Sequence, residues 1–159
     1  MKSKKVCLDI EVKNDYNNYL YRIFQGIDLS NYIWDVIHED LFYDRDHHGD
    51  VKQDFFGYKE QITNEEFIKC ISRKDYYMIF VDLKAYPIGS THTEINVYKD
   101  FVDSNCCIVF ICYDSSYINF YCKNSEILEK VYNNCLGDEF EKVEWRTEAE
   151  VKNRSLVAF

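Results

Sequence analysis

The chain has a single proline, five scattered glycines and no apolar run longer than the eight residues from Cys106 to Tyr113. Each shortage removes a class of function. Gly26, Gly49, Gly57, Gly89 and Gly137 lie too far apart for GxGxxG or GxxxxGK[ST], so no phosphate-cradling loop is expected. There is also no GxSxG nucleophile elbow. Eight apolar residues fall well short of the roughly 20 that a membrane helix needs. Asp9 and Glu11 interrupt the apolar start, which excludes a secretory h-region. Basic residues are outnumbered, 19 against 28 acidic, and the formal charge of −9 repels a phosphate backbone. Seven cysteines are present, none in the CxxC spacing of a zinc site. Their odd number and irregular spacing predict buried reduced thiols and no disulfide framework. We therefore expect one globular domain over residues 1–159, cytoplasmic, without cofactor, nucleic acid or membrane partner.

What is abundant is aromatic and acidic. Fourteen tyrosines, eleven phenylalanines and two tryptophans make up 17% of the chain. That is enough for a core, with tyrosines left over for a protein interface. Two segments carry the whole formal charge. Trp34 to Asp54 holds Asp35, Glu39, Asp40, Asp44, Asp46, Asp50 and Asp54 against Arg45 and Lys52, net −5. Asp138 to Glu150 holds Asp138, Glu139, Glu141, Glu144, Glu148 and Glu150 against Lys142 and Arg146, net −4. If adjacent, they would form a single acidic face for a basic protein partner. Its expected contacts are Trp34, Asp35, Glu39, Asp44, Asp46, Asp50, Glu141, Glu144, Trp145 and Glu148. The function expected is a noncatalytic interaction module, of inhibitor or immunity type. The alternative is a small enzyme or ligand-binding protein with a pocket near His38, His92 and tyrosines.

The stretch "YDRDHHGDVKQD" tests the metal reading. Asp44, Asp46 and Gly49 match positions one, three and six of a calcium loop, but His48 stands at the fifth and Phe55 at the twelfth. Without the bidentate glutamate the ion loses two oxygens. Asp44, Asp46, His47, His48 and Asp50 remain weak transition-metal candidates, but adjacent histidines on an extended chain diverge. "HEDLF" fails as HExxH because Phe42 replaces the second histidine. His92 and Glu94 are a possible acid and base pair with no supporting motif.

Periodicity gives an α+β domain with a mixed, mainly antiparallel sheet and packed helices, in chain order β-α-β-β-α-β-α-β-β-α-β. The first strand is "VCLDIEV", and a helix capped by Asn14 follows it. Strands are expected over "NYIWDVIH" and, as its return, "VKQDFFGY". Thr63 and Glu66 form a capping box that starts a helix, and "YYMIFVDL" follows as a buried strand. After Pro87 and Gly89 come a short helix "YKDFVDS", the hairpin "CCIVFICYDSSYINFYC", a helix "NSEILEKVYNNCLG" and a strand "EKVEWRT". A two-residue Ser115–Ser116 loop would set the hairpin register at Asp114 opposite Tyr117.

The stretches "IDLSNYIW", "YYMIFVDLKAYP" and "DFVDSNCCIVFICYDSSYINFYCK" resemble a family of small proteins of Gram-positive bacteria known as a domain of unknown function. The resemblance implies a cytoplasmic bacterial protein and carries over no functional residues.

Overall fold

The computed structural model of the chain describes residues 3–43 and 54–158. Seven strands form one sheet in the order β3-β2-β4-β5-β6-β1-β7, antiparallel in every pair. The strands are β1 (Lys5–Val12), β2 (Tyr32–Tyr43), β3 (Gln61–Thr63), β4 (Tyr76–Pro87), β5 (Ile108–Tyr113), β6 (Tyr117–Cys122) and β7 (Phe140–Thr147). The helices are α1 (Tyr19–Phe24), α2 (Asn64–Ile71), α3 (Tyr98–Asp103), α4 (Ser125–Asn134) and α5 (Glu148–Val151). The element order matches the one expected from periodicity, with α5 added.

Both faces of the sheet are covered. On one, Leu8, Ile10, Trp34, Phe110 and Phe120 pack with residues of α1, α2 and α4, including Leu20, Phe67 and Leu128. On the other, Cys7, Val109, Ile111 and Tyr121 lie with Tyr98 and Phe101 of α3, Val151 of α5, and Leu156 and Ala158 of the C-terminal segment. Double coverage explains why β5 is apolar at alternate and intervening positions alike.

Local chemistry sets the helix starts. Thr63 accepts from the Glu66 amide at 3.1 Å while the Thr63 amide donates to the Glu66 carboxylate, closing the capping box of α2. Asn124 caps α4 by accepting from the amides of Glu126 and Ile127. Asn14 does not cap α1. Its side chain accepts from the Tyr77 hydroxyl, and Asn17 bridges to Tyr76, so the segment before the helix is drawn along β4 and α1 begins at Tyr19.

Two further expectations need correction. The return strand proposed at 51–58 falls partly outside the described residues, and its described part is a turn. Gly57 and Tyr58 both have positive φ, outside the strand region, and the turn carries Phe55 and Phe56 into the core together. The return strand is β3, a few residues later, and β2 pairs with β4 on its other side. The β5–β6 hairpin turns over three residues, pairing Tyr113 with Tyr117, because Asp114 and Ser115 adopt left-handed φ of 50° and 68°. That one-residue shift puts Phe110, Cys112, Ile118 and Phe120 on one face and Val109, Ile111, Asn119 and Tyr121 on the other. Cys112 and Cys122 therefore share a face, yet the described cysteines are all free.

Candidate functional site

The face carrying α3 and α5 concentrates the charged chemistry. Alternation in β1 and β7 aims Asp9 and Arg146 to the same side, and the C-terminal segment brings Arg154 over them. Arg154 donates to both Asp9 carboxylate oxygens at 2.8 Å, Arg146 Nε donates to Oδ2 at 2.8 Å, and Asn119 donates to Oδ1 at 2.9 Å. Burial alone would raise the Asp9 carboxyl, but the hydrogen bonds from Arg154 and Arg146 outweigh it and hold the group below its ordinary value. A carboxylate saturated by four donors ties strands together and is a poor general base. The cleft beside it, about 130 Å³ between Tyr113, Tyr117, Lys142 and Glu144, is small for an organic substrate.

Deeper on this face, Asp82 and Lys84 of β4 are the two charged residues among the buried side chains described. Lys84 donates to Asp82 and to the Leu156 carbonyl at 2.7 Å, while the Ala158 amide donates to Asp82 at 3.1 Å. Burial pushes the Asp82 carboxyl up, and the Lys84 ammonium works against that shift.

A third polar centre pairs His92 Nδ1 with Asp35 at 2.8 Å, with the imidazole stacked on Tyr86 at a centroid distance of 3.9 Å. Residues 90–96 form no strand, and Glu94 is not the histidine's partner in this pair. His38 lies elsewhere, along a shallow groove of about 220 Å³ with Val36, Glu39, Tyr58 and Glu60. The pocket expected near His38, His92 and tyrosines is thus two separate places. Neither is supplied with an activated thiol, because burial raises Cys7, Cys106, Cys112, Cys122 and Cys135, Cys106 to about 12. A wider groove of about 440 Å³ opens between α1 and α2, lined by Tyr21, Phe24, Ile68 and Ile71, with Asp28 its single carboxylate. It provides shape without an acid–base pair.

The described part of the first acidic segment lies on β2 and the second segment starts on β7, five strand steps apart, about 24 Å. Trp34 is no surface anchor. It is 0% exposed, stacked on Phe67 at 4.0 Å, and donates to Asn64. A tryptophan on an amphipathic strand can face either way, and α2 covers this one. Asp35 is engaged by His92, and Glu39 accepts from the Phe56 amide at 3.0 Å, with burial raising its carboxyl. Asp44, Asp46, His47, His48 and Asp50 lie outside the described residues; among those described, no three histidine, cysteine or acidic side chains are grouped to hold a metal ion.

The β7 segment is different. β7 pairs with β1 on one side and is the outer strand of the sheet on the other. Glu141 and Glu148 are exposed, and Glu144 binds Lys142 at 2.6 Å and Arg146 at 2.7 Å. Trp145 is half-buried, stacked on Tyr132 at 4.9 Å with the Lys5 ammonium over its ring. Residues missed from the sequence are Arg154, Asp9, Asp82 and Lys84. Thr147 and Glu150 repeat the T-x-x-E spacing seen at α2, and this signal announces α5 and the turn that delivers Arg154.

The fold and these sites define a small α+β protein in which Asp9, Asp35, Asp82 and Lys84 are engaged in internal pairs. The chain belongs to the family described as "Protein of unknown function (DUF2691)", whose model matches residues 5–157. It is 35% identical over 149 residues to the uncharacterized protein YncE of Bacillus subtilis strain 168, covering 94% of this chain and 96% of that protein. No solved structure matches. Among the described residues no helix is long and apolar enough to cross a membrane.

Proposed function

We propose that this chain is a noncatalytic protein-binding module whose working surface is the outer edge of β7, and that its partner offers a basic, extended segment. The observation that carries this reading is the eight-residue outer strand, set in a segment of net charge −4. An open edge presents backbone N–H and C=O groups to an added strand, and the side chains beside them choose which strand is accepted. A second copy would bring the segment's net charge of −4 against an equal charge, which disfavours pairing of the edge with itself. A lysine- or arginine-rich segment is attracted instead, and its encounter is accelerated at low salt. Trp145 supplies a partly exposed aromatic beside that edge. An inhibitor or immunity role, in which a small protein masks a basic surface of another, fits such an edge.

The test is affinity capture with the tagged chain from the source cell, followed by binding kinetics on the captured protein. Glu141→Lys together with Glu148→Lys is expected to lower the association rate about tenfold and to flatten its salt dependence. Glu60→Lys, at the far side of the sheet, is expected to leave the rate unchanged. Equal rates for the two variants would remove the β7 edge from the account.

A further inference from the structure

The backbone of β7 is open at particular residues, and the register of β1 shows which. In an antiparallel ladder the N–H and C=O of one residue point to the same side, and successive residues alternate. The Val12 amide donates to the Ser116 carbonyl at 2.9 Å, on the β6 side. Ile10 and Leu8, opposite Ile118 and Phe120, follow it toward β6, so Cys7, Asp9 and Glu11 bond toward β7. Their partners there are Arg146, Glu144 and Lys142. The Glu148 amide, which donates to the Lys4 carbonyl at 2.8 Å, continues that even-numbered series. The residues between, Val143 and Trp145, therefore turn their backbone groups outward.

This open stretch is closed at both ends. Beyond Trp145, the outward Thr147 amide is taken by the Glu150 carboxylate at 3.0 Å. Before Val143, Lys142 pairs with Glu11 and Phe140 with Val12, so Glu141 forms a bulge that ends the regular ladder. Among the described residues no hydrogen bond from outside the sheet reaches the backbone of Val143 or Trp145. An added strand thus meets the N–H and C=O of these two residues.

The side chains differ between the two faces of this edge. Val143 and Trp145 lie on the α4 face and pack against the core there, with Trp145 stacked on Tyr132. Lys142, Glu144 and Arg146 lie on the other face, where Glu144 is held by both of its neighbours. A basic residue placed opposite Glu144 would meet Lys142 and Arg146 as well. The acids able to draw a cation are Glu141 and Glu148, exposed at the two ends.

We infer that the segment added to β7 is a short antiparallel strand of seven residues whose third and fifth side chains are apolar, with uncharged polar residues between and beside them and a basic residue at each end. This inference rests on the β7 edge proposed above and adds its register. The third residue packs on Trp145 and the fifth beside Val143, and the backbone groups of these two bond the edge. The fourth residue, opposite Glu144, turns its own backbone groups away. The basic ends lie by Glu148 and Glu141.

The probe is the end-blocked peptide Lys-Thr-Val-Thr-Val-Thr-Lys, titrated into the isotope-labelled chain and followed by amide chemical shifts. Saturable shifts are expected at Val143 and Trp145, with β3 unmoved. The isomer Lys-Val-Thr-Thr-Thr-Val-Lys has the same charge and composition but sets its valines against Lys142 and Arg146, and it is expected to bind about tenfold more weakly. N-methylation of either valine in the first peptide is expected to abolish binding, and N-methylation of its central threonine to preserve it. Equal binding of the two isomers overturns the register, as does equal loss from methylation at every position; neither result touches the charge-reversal rates that decide whether β7 is the working edge. A chain whose β7 amides respond to no peptide also overturns the inference, and those rates, measured on the captured partner, then judge the edge by themselves.

Discussion

Replacing Lys84 with methionine is expected to lower the stability of the fold by about 3–5 kcal/mol, because it leaves the Asp82 carboxylate buried without its cation. Both side chains are 2% exposed, so water cannot take the place of the missing ammonium. The backbone suffers as well, since the Leu156 carbonyl loses its donor. For a chain of this length such a loss moves the thermal midpoint down by roughly 10 °C. The double replacement, Lys84→Met with Asp82→Leu, separates charge from packing. It removes both charges and orphans only the Leu156 carbonyl and the Ala158 amide, at about 1–3 kcal/mol for each group left unpaired. Denaturant titration is expected to rank the native chain highest, the double variant next and Lys84→Met lowest. A single variant as stable as the native chain would mean that Asp82 is neutral or hydrated in the fold, and the buried pair would lose its place in the account.

Trp34→Ala is expected to cost a similar amount, about 3–5 kcal/mol. The indole fills the space between Phe24 and Phe67, edge-on to the first at 5.6 Å and stacked on the second at 4.0 Å. Truncation leaves a cavity under α2, and it also orphans the Asn64 side chain that accepts the indole N–H. Trp145→Ala is the matched control. It removes a half-exposed ring from Tyr132 and Lys5 and is expected to change stability by about 1 kcal/mol or less. Urea denaturation of the two variants compares them directly. Equal losses would contradict the assignment of one tryptophan to the core and the other to the surface.

The two tryptophans also show how far the sequence can be read. Strand and helix order follow from periodicity because each element has its own local signal, such as Thr63 with Glu66 or Asn124 ahead of α4. The hairpin register depends on turn conformation, and Asp114 and Ser115 adopt left-handed φ without the glycine or Asn-Gly pair that marks such turns. Which face a strand buries depends on what covers it, and neither α2 over Trp34 nor the C-terminal segment over Lys84 is a local property. The sheet order places β1 between β6 and β7, joining the start of the chain to its last strand. That non-local pairing sets β7 five strand steps from β2, the described part of the other acidic segment. Asp9, Lys84 and Arg154 escaped notice for the same reason: each is one charge among many in the sequence, and only the fold makes it a partner.

The β7 edge is tested most directly by amide hydrogen exchange along the native chain, alone and with the captured basic partner. The account predicts slowed exchange at the β7 amides that do not bond to β1, with Glu141 to Thr147 protected together and β3 unchanged. Protection at β3 and α2, with β7 exchanging as it does in the free chain, would contradict it.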